Sequence, residues 1–216
     1  MKKTNRTSIL IFLGLSLLMS TTVFAAKKKT HENIATDQDN GFYISDAAYF
    51  KATSGHSKKA VVFVPGFIFN KESWFALAKK LQTQNISSLS VNGKTVAIIK
   101  TSIDYLKAKG YEDISLVGGS SGAAAVLATM KDTIPEVTKI VAMSAVRGNP
   151  VEAQSTDKLF IVSKDEKSYS KVQGFYMGSA EPKQLKVFPG KSHAQFLFKS
   201  EHKDEITKLI LDFIKK

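Results

Sequence analysis

The stretch that decides the fold is Ile114-Ser115-Leu116-Val117-Gly118-Gly119-Ser120-Ser121-Gly122-Ala123-Ala124-Ala125-Val126-Leu127. An apolar, strand-like run gives way across a few small residues to an Ala-rich helical run that continues to Met130. A Gly-x-Ser-x-Gly turn between a strand and a helix is the setting of a nucleophile elbow. Such a turn holds its central residue in a strained backbone conformation, and glycine at the flanking positions lets strand and helix approach closely. Ser120 is thereby the candidate nucleophile at the tip of the turn. An ordinary Gly/Ser loop is the bland reading, and the rest of the chain has to decide between the two.

A serine hydroxyl is too weakly acidic to attack an acyl carbon unaided, so Ser120 calls for a histidine and a carboxylate within hydrogen-bond reach. Where this elbow occurs they follow the serine in the order acid, then histidine. Of the histidines, His31 and His56 precede the core; only His193 and His202 come later. His202 opens a terminal amphipathic helix, a place usually given to solvated residues. His193 follows the run Leu185-Lys186-Val187-Phe188 through the loop Pro189-Gly190-Lys191-Ser192, which is where a general base is delivered. Between Ser120 and His193 lie Asp132, Glu136, Glu152, Asp157, Asp165, Glu166 and Glu181. Only Asp165 and Glu166 come directly after a strand-like stretch, 158–163, at the sheet edge expected for Ser120. Asp165 is preferred because Asp is the commoner orienting acid; Glu166 stays open as the alternative.

Taken in order, these motifs resemble the α/β-hydrolase superfamily, and within it the small bacterial esterases similar to dienelactone hydrolases. The resemblance covers residues 42–216 and includes Ala60-Val61-Val62-Phe63-Val64-Pro65-Gly66-Phe67, followed by a helix near Trp74. This looks like the family's strand and His-Gly loop, with Pro65 in place of the usual histidine. The resemblance implies an oxyanion hole made by the backbone N–H groups of Phe67 and Ser121, which a change of side chain at residue 65 does not remove. It implies a Ser-His-Asp/Glu triad cleaving small carboxylic esters through an acyl-enzyme, with no metal or organic cofactor. An acyltransferase would use the same parts. A binding protein on the same scaffold without turnover is the alternative of a different class, kept open by Pro65 and by the unresolved choice of acid.

Composition sets the remaining bounds. Lys2, Lys3 and Arg6, an apolar core over 9–19 and the small-residue signal Val23-Phe24-Ala25 read as a secretory signal peptide over 1–25. Its apolar core is too short to span a bilayer comfortably. The expected destination is the bacterial periplasm or the medium. The chain contains no cysteine, which excludes a thiol nucleophile, a thiolate metal site and disulfides. After cleavage about 190 residues remain, enough for one domain: a flexible tail over 26–41 and a catalytic domain over 42–216. The net charge of +12 could suit nucleic acid, but the lysines are dispersed and no nucleic-acid motif is present. A small-molecule ester as substrate, and weak association with anionic envelope surfaces, fit the balance better. Oligomeric state is not legible.

From residue 42 onward strands and helices alternate: strands over 42–50, 60–64, 86–91, 139–144 and 158–163, and helices over 73–84, 95–109, 169–177 and 204–214. This order specifies a single-domain α/β fold, a mostly parallel sheet with helices on both faces. The connection 145–157 is too short for a lid domain, and the loop after Val91 is cut to Asn92-Gly93-Lys94. The site is expected to be open.

Overall fold

The computed structural model describes residues 32–34, 46–54 and 57–216. The expected signal peptide, His31, His56 and residues 42–45 lie outside the described residues. The strands are β1 (Glu32–Ile34), β2 (Ala47–Phe50), β3 (Lys59–Val64), β4 (Ser87–Val91), β5 (Asp113–Gly119), β6 (Val137–Met143), β7 (Asp157–Ser163) and β8 (Lys183–Phe188). The helices are α1 (Phe75–Thr83), α2 (Val96–Ala108), α3 (Ser121–Thr129), α4 (Tyr169–Gly178) and α5 (Lys203–Lys215). Short 3-10 turns cover Lys71–Trp74 and Ala194–Lys199.

The strands form one 8-stranded sheet in the order β1-β2-β4-β3-β5-β6-β7-β8. From β4 to β8 neighbouring strands are parallel, whereas β1 and β2 pair antiparallel. β1 lies inside 26–41, the stretch that the sequence reading assigns to a flexible tail. Its three residues carry no alternation to read, and they close the edge that β2 would otherwise leave open.

Side chains alternate strictly along the central strands. Val62 and Val64, Leu116, Ile140 and Ala142, and Phe160 and Val162 face a core shared with Ile99, Ile103 and Leu106 of α2, Val126 of α3 and Val172 of α4. Val61 and Phe63, Val117, Val141 and Met143, and Leu159 and Ile161 face the opposite core, with Leu77 and Leu81 of α1 and Ile206 and Ile210 of α5. Because both faces are covered, these strands read as continuous apolar runs. Among the described residues no helix is long and apolar enough to cross a membrane.

Parallel registers bring the functional loops to one edge. Val64 pairs with Gly118, Gly119 with Met143, Met143 with Ile161 and Ser163 with Phe188, so the turns after β3, β5, β6, β7 and β8 emerge together. The order reverses between β3 and β5, which places a crevice between their carboxyl ends. The connection from β6 to β7 is tied down: Val151 N–H donates to Ser179 Oγ at 2.9 Å, and the buried Lys158 ammonium donates to the carbonyls of Ala153 and Thr156, each at 2.6 Å. It packs on the body of the fold.

Candidate active site

Ser120 closes β5 and opens α3 with φ +52° and ψ −114°, a left-handed conformation that a residue with a Cβ adopts only under constraint. Glycine is required on both sides for reasons of space. A Cβ on Gly122 would lie 2.3 Å from the Val64 carbonyl oxygen, and one on Gly118 would lie 2.6 Å from Ala123 N. Helix α3 is thus pressed against the ends of β3 and β5, and the serine is pushed up at the crevice.

The loop after β8 carries His193 to that serine. His193 Nε2 lies 2.9 Å from Ser120 Oγ, and its Nδ1 meets the Glu166 carboxylate. Because Nδ1 faces a carboxylate, the ring proton belongs there, leaving Nε2 as the acceptor for the serine hydroxyl. Of the two candidate acids the structure brings Glu166, not Asp165, to the imidazole. Asp165 is exposed, and its backbone N–H donates to the Gly190 carbonyl at 2.9 Å. The sequence preference for Asp165 followed residue type; the deciding factor is the tight turn after β7, which turns residue 165 outward and residue 166 inward. The Glu166 side chain is 2 % exposed.

His202 stays apart from this group. It precedes α5, lies tilted against the Phe188 ring with centroids 5.2 Å apart and sits 3.7 Å from a Glu201 oxygen.

A shell of hydrogen bonds that sequence reading missed fixes Glu166 and His193. Glu166 Oε1 accepts from the Ser144 hydroxyl at 2.6 Å and from Ser163 N–H at 2.9 Å, so Oε2 is the oxygen left for His193. Ser144 Oγ in turn accepts from Ala194 N–H at 2.8 Å, and Ser163 Oγ donates to the Ser192 carbonyl at 2.6 Å. The residues on both sides of His193 are therefore tied to the ends of β6 and β7. Ser144 and Ala194, each at φ +49°, share with Ser120 the rare left-handed backbone. The signal available for Ser144 was its place directly after the apolar run that ends β6, the same edge position that Ser120 holds after β5.

On the other side of Ser120 lies the turn Gly66-Phe67-Ile68-Phe69, closed by Phe69 N–H donating to the Gly66 carbonyl at 3.1 Å. A Cβ on Gly66 would stand 3.3 Å from the Ser120 Cβ, so this loop abuts Ser120. Ser121 is the first residue of α3, and its N–H has no acceptor within the helix. Among the described residues neither Phe67 N–H nor Ser121 N–H has a backbone acceptor. The Phe67 side chain is 82 % exposed.

Gln195, buried two residues beyond His193, holds the turn: Gly66 N–H donates to its Oε1 at 3.2 Å, and its Nε2 donates to Ser73 Oγ at 3.1 Å. A lone amide in the apolar run Ala194-Gln195-Phe196-Leu197-Phe198 was the sequence signal for it. Below, Trp74 is fully buried and stacks on Phe63 at 5.2 Å, anchoring the chain that leaves the turn. Truncating an aromatic so placed typically costs about 3–5 kcal/mol.

A strained serine after β5, an acid after β7 and a histidine after β8, on a sheet of this order, define the architecture. The chain has the α/β-hydrolase fold. Similar solved structures include Est1E from Butyrivibrio proteoclasticus, with TM-score 0.65 and 13 % identity over 86 % of this chain and 98 % of that one. An esterase/lipase from an uncultured bacterium aligns with TM-score 0.66 and 12 % identity over 88 % of this chain and 85 % of the other. A dienelactone hydrolase from Anabaena variabilis aligns with TM-score 0.63 and 14 % identity, covering 79 % of this chain and 90 % of that enzyme. No family model and no curated protein matches the sequence. The likeness to hydrolase-fold proteins thus lies in backbone geometry and order of elements. Among the described residues no cluster of His, Cys, Asp or Glu could hold a metal ion.

Proposed function

We propose that this protein is a secreted serine hydrolase that cleaves small carboxylic esters through an acyl-enzyme. The observation that carries the reading is His193 Nε2 at 2.9 Å from Ser120 Oγ with the Glu166 carboxylate on Nδ1. Ser120 Oγ attacks the ester carbonyl carbon while its proton passes to His193 Nε2. The N–H groups of Phe67 and Ser121 hold the oxyanion of the tetrahedral intermediate. Collapse of that intermediate breaks the bond to the alcohol, which leaves with the proton from His193. Water then gives a proton to His193 and attacks the acyl-serine, and a second collapse releases the acid and restores Ser120. Glu166 keeps the proton on Nδ1 and stabilises the transient imidazolium without itself taking a proton. The esterases and the dienelactone hydrolase among the similar structures support esters as the substrate class.

Fluorophosphonate labelling tests the reading, because only an activated serine reacts. The probe is expected on Ser120 and absent in Ser120→Ala, which also loses turnover; Ser121→Ala keeps most activity because its backbone N–H remains. No labelling of the wild type would overturn the reading. With a short, tied-down connection from β6 to β7, little protein is available for a deep acyl tunnel. On p-nitrophenyl esters kcat/KM is expected to peak at short acyl chains, without a jump at the solubility limit. Export is checked by N-terminal sequencing of the protein recovered outside the cytoplasm, with Ala26 expected at or near the start; a form that keeps Met1 and stays with the membrane would refute export.

A further inference from the structure

A cavity of about 490 Å³ opens beside the reacting groups, with His193 and Glu166 in its wall. The remainder of the wall comes from the turn after β7, the start of α4 and the loop before His193, and it brings Lys167, Lys171 and Lys191 around one space. Lysine is common over the whole surface, but elsewhere many ammonium groups face a carboxylate: Lys58 with Glu112 at 2.8 Å, Lys107 with Glu136 at 2.7 Å and Lys186 with Glu205 at 2.5 Å. Among the described residues no carboxylate lies within 4.0 Å of Lys167, Lys171 or Lys191. Among the described residues Lys171 Nζ reaches only the Val146 carbonyl, at 3.3 Å. The cavity also contains Asp165, exposed, while the Glu166 charge is engaged by His193, Ser144 and Ser163. Positive charge is therefore in excess.

The backbone adds to it. Ser168 lies in the same wall and is the N-cap of α4, a helix of 10 residues, so the positive end of the helix dipole is at the cavity. The Ser168 side chain makes no capping bond, and its buried Oγ has no hydrogen-bond partner among the described residues. A buried hydroxyl without a partner beside unpaired ammonium groups is poorly satisfied as it stands. An anion of modest size would neutralise the lysines and offer an acceptor to the hydroxyl.

We propose that this cavity is an anion-binding subsite, and that the substrate is an ester bearing a carboxylate or similar oxyanion that docks on Lys167, Lys171 and Lys191. The substrate assignment rests on the ester-hydrolase reading above; the subsite itself does not. Such a site would hold the ester by its charge while Ser120 attacks, compensating for the small apolar surface that an open site can bury. The charge can reside on the acyl half or on the alcohol half.

Two pairs of esters separate those cases. On the acyl side, the p-nitrophenyl monoester of glutaric acid is compared with p-nitrophenyl pentanoate; on the alcohol side, 4-acetoxybenzoate is compared with 4-acetoxybenzamide. In one pair the kcat/KM ratio, charged over neutral, is expected to be about tenfold at low salt and to fall at high salt. The Lys167→Ala/Lys191→Ala double variant, altered at exposed positions, should bring that ratio toward one. Independently of turnover, inorganic phosphate titrated into the wild-type protein should shift the backbone amide resonances of Lys167, Ser168 and Lys191, and the double variant should lose the shifts of Ser168. Ratios at or below one in both pairs, with p-nitrophenyl acetate still hydrolysed, would overturn the substrate assignment and leave the esterase standing. If no ester is hydrolysed the esterase reading fails, and the phosphate titration alone decides whether the cavity binds anions; absence of shifts overturns it.

Discussion

The two sides of Ser120 are secured differently. On the His193 side, Glu166, Ser144, Ala194 and His193 form a closed circuit in which every bond runs between the ends of β6, β7 and the loop after β8. On the Phe67 side, the turn at Gly66–Phe69 is hydrogen-bonded to a side chain of the body of the fold at Gln195, which itself leans on Ser73, and packs through the Phe69 ring edge-on against Phe196 at 5.1 Å. Its tip is bare, with Phe67 and Ile68 82 % and 71 % exposed. A closed circuit tolerates little displacement because moving one member strains two bonds. The turn is held by one side-chain hydrogen bond and a ring contact, with no such circuit to close it. The difference suits the proposed hydrolysis, in which proton transfer needs fixed distances while substrate entry needs room.

Removing the acid tests the rigid side most severely. Glu166→Gln is expected to lower kcat by about 10³–10⁴-fold, because an amide presents the wrong partner to Nδ1 and mis-sets the imidazole tautomer. Asp165→Asn is expected to stay close to wild type. Steady-state kinetics on one short-chain ester decide the pair, and equal losses would dissolve the circuit as described.

Ser144→Ala leaves Ala194 N–H and one Glu166 contact without a partner while His193 and Glu166 are both present. The expected loss is about ten- to a hundredfold in kcat, and about 1–3 kcal/mol of stability from the unsatisfied buried groups. Denaturant unfolding beside kinetics reads both, and unchanged values would show that the circuit does not need its closing link.

Gln195→Leu removes the side-chain hydrogen bond that holds Gly66 on the other side. The expectation is about tenfold in kcat with KM little changed, since a wandering Phe67 N–H costs the transition state more than the ground state. A loss confined to KM would make the tether a substrate-binding element instead. Ser73→Ala, one bond further out, is expected to cost about twofold or less, and its coupling to Gln195→Leu in a double-mutant cycle measures whether the two act as one support.

The sequence by itself determined the alternation of strands and helices and the glycine-flanked turn at Ser120, and it singled out His193 over His202 as the histidine that the fold brings to that serine. These are local facts: apolar runs, Gly spacing and chain order are written in neighbouring residues, and burial on both faces of a parallel sheet leaves a pattern that can be read without coordinates. The pairing of β1 with β2, the inward turn of Glu166 past Asp165, and the bonds that Ser144 and Gln195 make were decided only in the tertiary structure. Each depends on groups far apart in the chain, such as Ser144 with Ala194 or Gln195 with Gly66, brought together by the registers of β3, β5, β6 and β7. Which of two adjacent carboxylates faces a histidine 27 residues away is set by how the turn after β7 is pinned to the loop after β8, and adjacent residues of one charge carry no sign of it.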